Sequence, residues 1–168
     1  MSRRAAITVQ SLQQHFQTNY PEISKCKHDP NNRLTCKERS RISWNHPSYV
    51  FLHFRFDCCI CCDTKVKKCD CIIFRLGQAD EKPIMFILET KKKRPSFLTA
   101  KCQLETGIQT MIQKLPDPKS RFSVIPVLCA KKITGHTKEV ALHNKVIIFG
   151  VKEPIRLRKY GQNINDLV

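Results

Sequence analysis

No stretch of this 168-residue chain approaches the ~18 to 20 consecutive apolar residues of a membrane span, and its opening, MSRRAAITVQ, lacks the apolar run of a signal peptide. An intracellular protein without a membrane partner is therefore expected, cytoplasmic or nucleoid-associated, or nuclear if the source is eukaryotic. Also missing are a Gly-rich phosphate loop, a Gly-x-Ser-x-Gly elbow, an internal repeat and a Ser/Gly/Pro-rich linker. One compact domain over residues 1–168 follows, with a core at about 3–151 and a basic tail at 152–168. Acidic residues are scarce: 14 against 30 Lys and Arg, a formal net charge of +16. A field of that sign favours polyanions, nucleic acid before an anionic membrane surface.

Cysteine, by contrast, is plentiful. Ten of them would suggest a disulfide scaffold in a short secreted chain, but without an export signal reduced thiols are the expectation. Cys58, Cys59, Cys61, Cys62, Cys69 and Cys71 crowd into one stretch, CCxCC followed by CxC, which could hold Zn²⁺ or an iron-sulfur cluster across a turn. Alternate strand residues face opposite ways, however, and a free cysteine packs as a small hydrophobe, so plain packing is the favoured reading. Cys26, His28 and Cys36 fit no common zinc spacing, and the six histidines show no mutual spacing that marks a zinc site or a nucleophile.

Apolar periodicity gives the element order. Ala5, Val9, Leu12, Phe16 and Tyr20 recur at helical spacing, predicting an amphipathic helix over 3–20 with Ser2 as N-cap and Pro21 as stop. Residues 21–47 have no period and read as irregular. Tyr49 to Phe56 reads as a first strand, Cys69 to Leu76 as a second and Pro83 to Thr90 as a third. A basic connection, Lys92, Lys93 and Arg94, leads into a helix from about Ser96 to Leu115 with Gly107 inside it, where close approach to the sheet or a ligand would explain the glycine. Phe122 to Ala130 is a strand whose Pro126 hints at an edge or a bulge. A short helix at Thr137 to His143 and a strand at Lys145 to Val151 complete the order. The fold class expected is α/β, a central mixed sheet of about five strands with helices covering both faces, in the order α-β-β-β-α-β-α-β.

Within this frame one hairpin gathers chemistry. A turn at 77–82 that pairs Leu76 with Pro83 also pairs Ile72 with Ile87, and sets Asp70 opposite Glu89. Glu89 and Lys91 then share a face and Thr90 points to the other. Three ionisable groups converge at the end of an otherwise apolar hairpin. Asp57 and Asp63 compete with Asp70 as the first acid, and pairing register favours Asp70. The plainer alternative is that these charges merely meet solvent at a strand end.

An acid on the second strand, Glu-x-Lys ending the third, and this element order together resemble the PD-(D/E)xK nuclease superfamily, the restriction-endonuclease-like fold. The resemblance spans about 3–151, and its specific part is Asp70, Glu89 and Lys91. Cys69 stands where the family name has proline, and the first helix offers glutamines in place of an additional acid, with Glu22 the nearest substitute. The resemblance implies a metal-dependent nuclease acting on DNA in preference to RNA. Asp70, Glu89 and the Thr90 carbonyl would hold Mg²⁺ or Mn²⁺, and Lys91 would assist the attacking water. Gln103 looks like the glutamine of the Gln-x-x-x-Tyr feature of exonuclease-type members, although Gly107 occupies the tyrosine position. Glu105 is a weaker candidate on the same turn. Lys92, Lys93, Arg94, Lys101, Arg156, Arg158 and Lys159 are the candidate nucleic-acid contacts. A homodimer would suit an enzyme making two cuts. The alternatives are a ribonuclease on the same fold, and a non-catalytic nucleic-acid-binding protein built on the cysteine site.

Overall fold

The computed structural model describes residues 7–20, 42–56, 68–77, 81–91 and 96–168. Its strands are β1 (Val50–Arg55), β2 (Cys71–Leu76), β3 (Ile84–Lys91), β4 (Ser123–Ala130), β5 (Lys145–Ile148), β6 (Val151–Pro154) and β7 (Arg156–Lys159). Its helices are α1 (Val9–Asn19), α2 (Phe97–Lys114), α3 (Pro118–Arg121) and α4 (Gly135–His143), and a 3-10 turn spans Ile164–Leu167. The protein is α/β: a mixed five-stranded sheet in the order β1-β2-β3-β4-β7, flanked by helices. β1, β2 and β3 form an antiparallel meander with Ile72 opposite Ile87, as the hairpin pattern requires. β3, β4 and β7 run parallel, α2 providing the crossover from β3 to β4.

β2 is buried at every position and β3 from Ile84 to Glu89, which is why both read as continuous apolar runs. One sheet face packs Phe54, Ile72, Phe74, Met85 and Ile87 against α1 and α2. Phe16 of α1 meets Phe54 with ring centroids 5.0 Å apart, and Phe54, Phe74 and Phe122 continue the contact edge to face. No long helix covers the other face among the described residues. Ile42, Trp44 and Ile164 close it over Ile73, Phe86, Leu88 and Val127, where an irregular segment and the 3-10 turn meet through a Ser43–Asn163 bridge. A helix on that face was the expectation; among the described residues a buried Trp and a short C-terminal turn cover it.

α1 begins at Val9, because Thr8 and Ser11 bond each other's backbone N–H in a capping box; the proposed cap at Ser2 lies outside the described residues. The 145–151 segment is not one strand of the main sheet. It turns at Phe149 and Gly150, with φ of 51° and 83°, and β5 pairs with β6 in a separate two-stranded sheet. Positive φ at both central residues is the backbone of a tight type I′ hairpin, which the pair Phe-Gly does not announce as Asn-Gly would. The fifth strand of the main sheet is instead β7, RLRK, from the stretch that composition marked as a tail. A short, charged strand is what protects a sheet edge. Pro126 sits just before Val127, the first β4 residue that pairs with β7, so its missing donor falls where β4 has a single neighbour.

Gly107 is explained by the sheet. A Cβ there would lie 2.5 Å from the Cys69 sulfur and 2.9 Å from Ile87 Cγ2. Gly107→Ala is therefore expected to lower stability by ~1 to 2 kcal/mol, overpacking outweighing the helix propensity gained. Urea unfolding measures it; an increase would mean that α2 can move off the sheet without loss.

Candidate active site

The end of the β2–β3 hairpin departs from a regular ladder at one residue. Cys71 pairs with Leu88, yet Asp70 also donates its N–H to the Leu88 carbonyl, at 2.9 Å, so two consecutive residues address one partner. This is the signature of a β-bulge, and it re-aims the Asp70 side chain. Instead of simply facing Glu89, Asp70 Oδ2 accepts from the Thr90 N–H at 2.7 Å and from the Thr90 hydroxyl at 2.5 Å. Thr90 thus contributes its side chain, a role that reading only its carbonyl as a ligand overlooked.

Glu89 and Lys91 point to the α2 side, as alternation demands. Lys91 Nζ lies 2.5 Å from Glu89 Oε1 and donates to Gln103 Oε1 at 2.7 Å. Gln103 Nε2 in turn donates to the Lys68 carbonyl at 2.7 Å, tying the first turns of α2 to the entrance of β2. Gln103 is therefore not a solvent-facing glutamine. The Glu89 side chain is 2 % exposed and that of Lys91 25 %, so the acid is at the bottom and the ammonium nearer the opening. Burial, with the charge of Asp70 adding to it, pushes the Glu89 carboxyl up to about 8, against the pull of Lys91 and Gln103. Its Oε2 is buried and, among the described residues, has no hydrogen-bond partner.

An unpartnered carboxylate oxygen beside a second carboxylate is where a proton or a hard cation is accommodated, and an all-oxygen donor set suits Mg²⁺ or Mn²⁺ better than a soft metal. Asp70 and Glu89 supply the chemistry of such a donor set, and the charge of Asp70 acts on the Glu89 carboxyl. They form a pair only: among the described residues no group of three or more His, Cys, Asp and Glu side chains is placed to hold a metal. Any third protein ligand would have to be a backbone oxygen such as that of Thr90.

Comparison with protein families, with curated proteins and with solved structures returns no match. The site rests on its own geometry.

The other candidates fall out as follows. Cys69 is a buried cysteine in no disulfide, packed beneath Gly107, and Cys71 is disulfide-bonded, which corrects the expectation of reduced thiols at that residue and removes it as a thiolate ligand. Cys58, Cys59, Cys61, Cys62, Asp57, Asp63, Cys26, His28, Cys36 and Glu22 lie outside the described residues, as do Lys92, Lys93 and Arg94. Glu105 lies 3.9 Å from Lys101 along the helix. Arg156 and Lys159 are exposed on β7, and Arg158 is half-buried. Cys129, which nothing in the sequence singled out, stands in register between Thr90 and Arg158. Burial first, then the charges of Asp70 and Glu89, push its thiol up, with Arg158 opposing them, which disfavours the thiolate.

Proposed function

We propose that this protein is a metal-dependent nuclease hydrolysing phosphodiester bonds in DNA, an endonuclease in preference to an exonuclease, on a restriction-endonuclease-like scaffold. The observation that carries the reading is the buried, unpartnered Oε2 of Glu89 beside Asp70, with Lys91 held over it by Gln103. Support also comes from the coarse architecture, a mixed five-stranded sheet flanked by helices, which agrees with the one that the resemblance implies.

Asp70 and Glu89, with the Thr90 carbonyl, would hold the ion. When bound, Mg²⁺ or Mn²⁺ supplies a Lewis acid for the phosphoryl oxygen and acidifies a water. The chain's own residues do the rest. Thr90 fixes the Asp70 carboxylate through two donors, so one acid is oriented before substrate arrives. Of the three ammonium N–H groups of Lys91, two serve Glu89 and Gln103; the third is positioned to meet an attacking water or a phosphoryl oxygen as negative charge gathers there. The formal charge of +16 draws in the polyanion.

The test is digestion of DNA and RNA side by side with Mg²⁺, Mn²⁺ or EDTA. Metal-dependent cutting of DNA is the expected result. Cutting of RNA alone would make it a ribonuclease, and stoichiometric zinc or iron with no cutting of either would make it a binding module. Gln103→Leu keeps the helix while depriving Lys91 of one acceptor and Lys68 of its donor, so cleavage should fall ~10- to 100-fold with cooperative unfolding retained. An undiminished rate would take Gln103 out of the site.

A further inference from the structure

Among the described residues, Arg158 is a partly buried cation whose guanidinium Nε has no hydrogen-bond partner. Thr90, Cys129 and Arg158 occupy one row across β3, β4 and β7, on the opposite sheet face from Glu89 and Lys91. At one end of the row the Thr90 hydroxyl holds the Asp70 carboxylate, and at the other stands the guanidinium, two strand spacings or ~10 Å away. Arg158 is half-buried and its Nε is fully buried. Among the described residues, nevertheless, its side chain has neither a hydrogen-bond acceptor nor an ion-pair partner. A desolvated guanidinium N–H without an acceptor is unfavourable, and such a group is satisfied by an oxyanion arriving from outside. Lys131 and Lys132, exposed just past the end of β4, and Lys159 at the end of β7 make the same strand ends positive.

We propose that Arg158 is a phosphate receptor, binding a non-scissile phosphodiester of the strand that lies across the ends of β3, β4 and β7 while the neighbouring phosphate meets Asp70, Glu89 and Lys91. The identity of the strand rests on the nuclease reading; the binding of a phosphate oxyanion does not. The fork of a guanidinium suits a phosphate with two N–H donors, and a contact of this kind sets the position of the strand and carries no base preference. Asp70 takes part in both halves of the arrangement, since its charge acts on Glu89 and, through the sheet end, on Cys129.

The experiment compares the wild-type chain with Arg158→Met and Arg158→Lys in EDTA, where nothing is cut. Binding of a short DNA is measured by fluorescence anisotropy between ~50 and 200 mM salt, and unfolding is followed with and without inorganic phosphate. Arg158→Met should lose about five- to tenfold in DNA affinity, and its salt slope should fall by about one. Its thermal midpoint without phosphate should be unchanged or higher, while the rise that phosphate produces in the wild type should vanish. Arg158→Lys should recover the slope and only part of the affinity. Equal affinity and slope in Arg158→Met would overturn the proposal, and so would a lower midpoint or loss of folding without phosphate, which would make the residue structural. Phosphate-dependent behaviour of Arg158 in a protein that cuts nothing would leave the receptor standing and sink the nuclease reading; normal cutting with an indifferent Arg158→Met would do the reverse.

Discussion

Replacing Glu89 by Gln is expected to cut metal-dependent DNA cleavage by at least ~10³-fold while leaving DNA affinity within about twofold and raising the stability of the metal-free protein. The three parts have one cause. Glu89 is a buried acid whose Oε1 engages Lys91 and whose Oε2 has no hydrogen-bond partner among the described residues. Gln keeps the shape and an oxygen for Lys91, but it cannot bring negative charge to a cation, so the chemical step suffers. On the proposed reading affinity would come from Lys and Arg on phosphates, which the change does not touch. Above pH 4.5 stability rises because burial and the Asp70 charge make the folded chain keep a proton that the unfolded chain releases, a cost that Gln does not carry. Single-turnover cleavage, anisotropy in EDTA and urea unfolding read the three effects separately. Inactivity together with lower stability would point to misfolding, and undiminished cleavage would remove Glu89 from the chemistry.

The pH dependence of folding in EDTA carries the second large effect. The Glu89 carboxyl titrates at about 8 in the folded chain against 4.5 for the unperturbed group, burial being the main cause and the Asp70 charge the next. Between those values the folded state keeps a proton that the unfolded state has released. The stability this group contributes is therefore complete below pH 4.5 and is lost as pH rises through about 8. At about 1.4 kcal/mol per pH unit the ceiling of the loss is ~4 to 5 kcal/mol. Wild type and Glu89→Gln should accordingly have similar stability near pH 4 and diverge toward pH 9, the wild type falling further. Unfolding curves that stay parallel across this range would mean that Glu89 is already ionised in the free protein. Added Mg²⁺ at pH 9 should recover part of the wild-type loss and none of the variant's, since an ion that binds only the folded chain stabilises it.

Much of the fold was legible because burial leaves a period in the chain. β2 and β3 are apolar on both faces, so their existence, their antiparallel pairing and the Ile72–Ile87 register follow from composition and turn length. α2 was legible from its apolar stripe and Ser96 cap. The β5–β6 hairpin and β7 were not. KVIIFGV has the composition of one strand, and only the αL backbone at Phe149 and Gly150 divides it. RLRK has too little apolar surface to announce a strand, and it becomes one because the open edge of β4 from Val127 offers it a parallel ladder.

At the candidate site the division is similar. That Glu89 and Lys91 share a face, with Thr90 on the other, follows from the two-residue repeat of a strand and needed no coordinates. So did the suspicion attached to Gln103. What tertiary structure alone decided is where Asp70 directs its carboxylate, because a bulge breaks the repeat from which orientation is inferred, and a bulge is set by the partner strand. It also decided that Gln103 links Lys91 to the Lys68 carbonyl, since helix and strand meet only in the packed chain. And it set Cys129 and Arg158 in line with Thr90, three residues from strands far apart in sequence that a parallel sheet brings into one row. Local periodicity is written along the chain, whereas the register of long-range parallel pairing depends on every element packed between, and so appears only once the chain has folded.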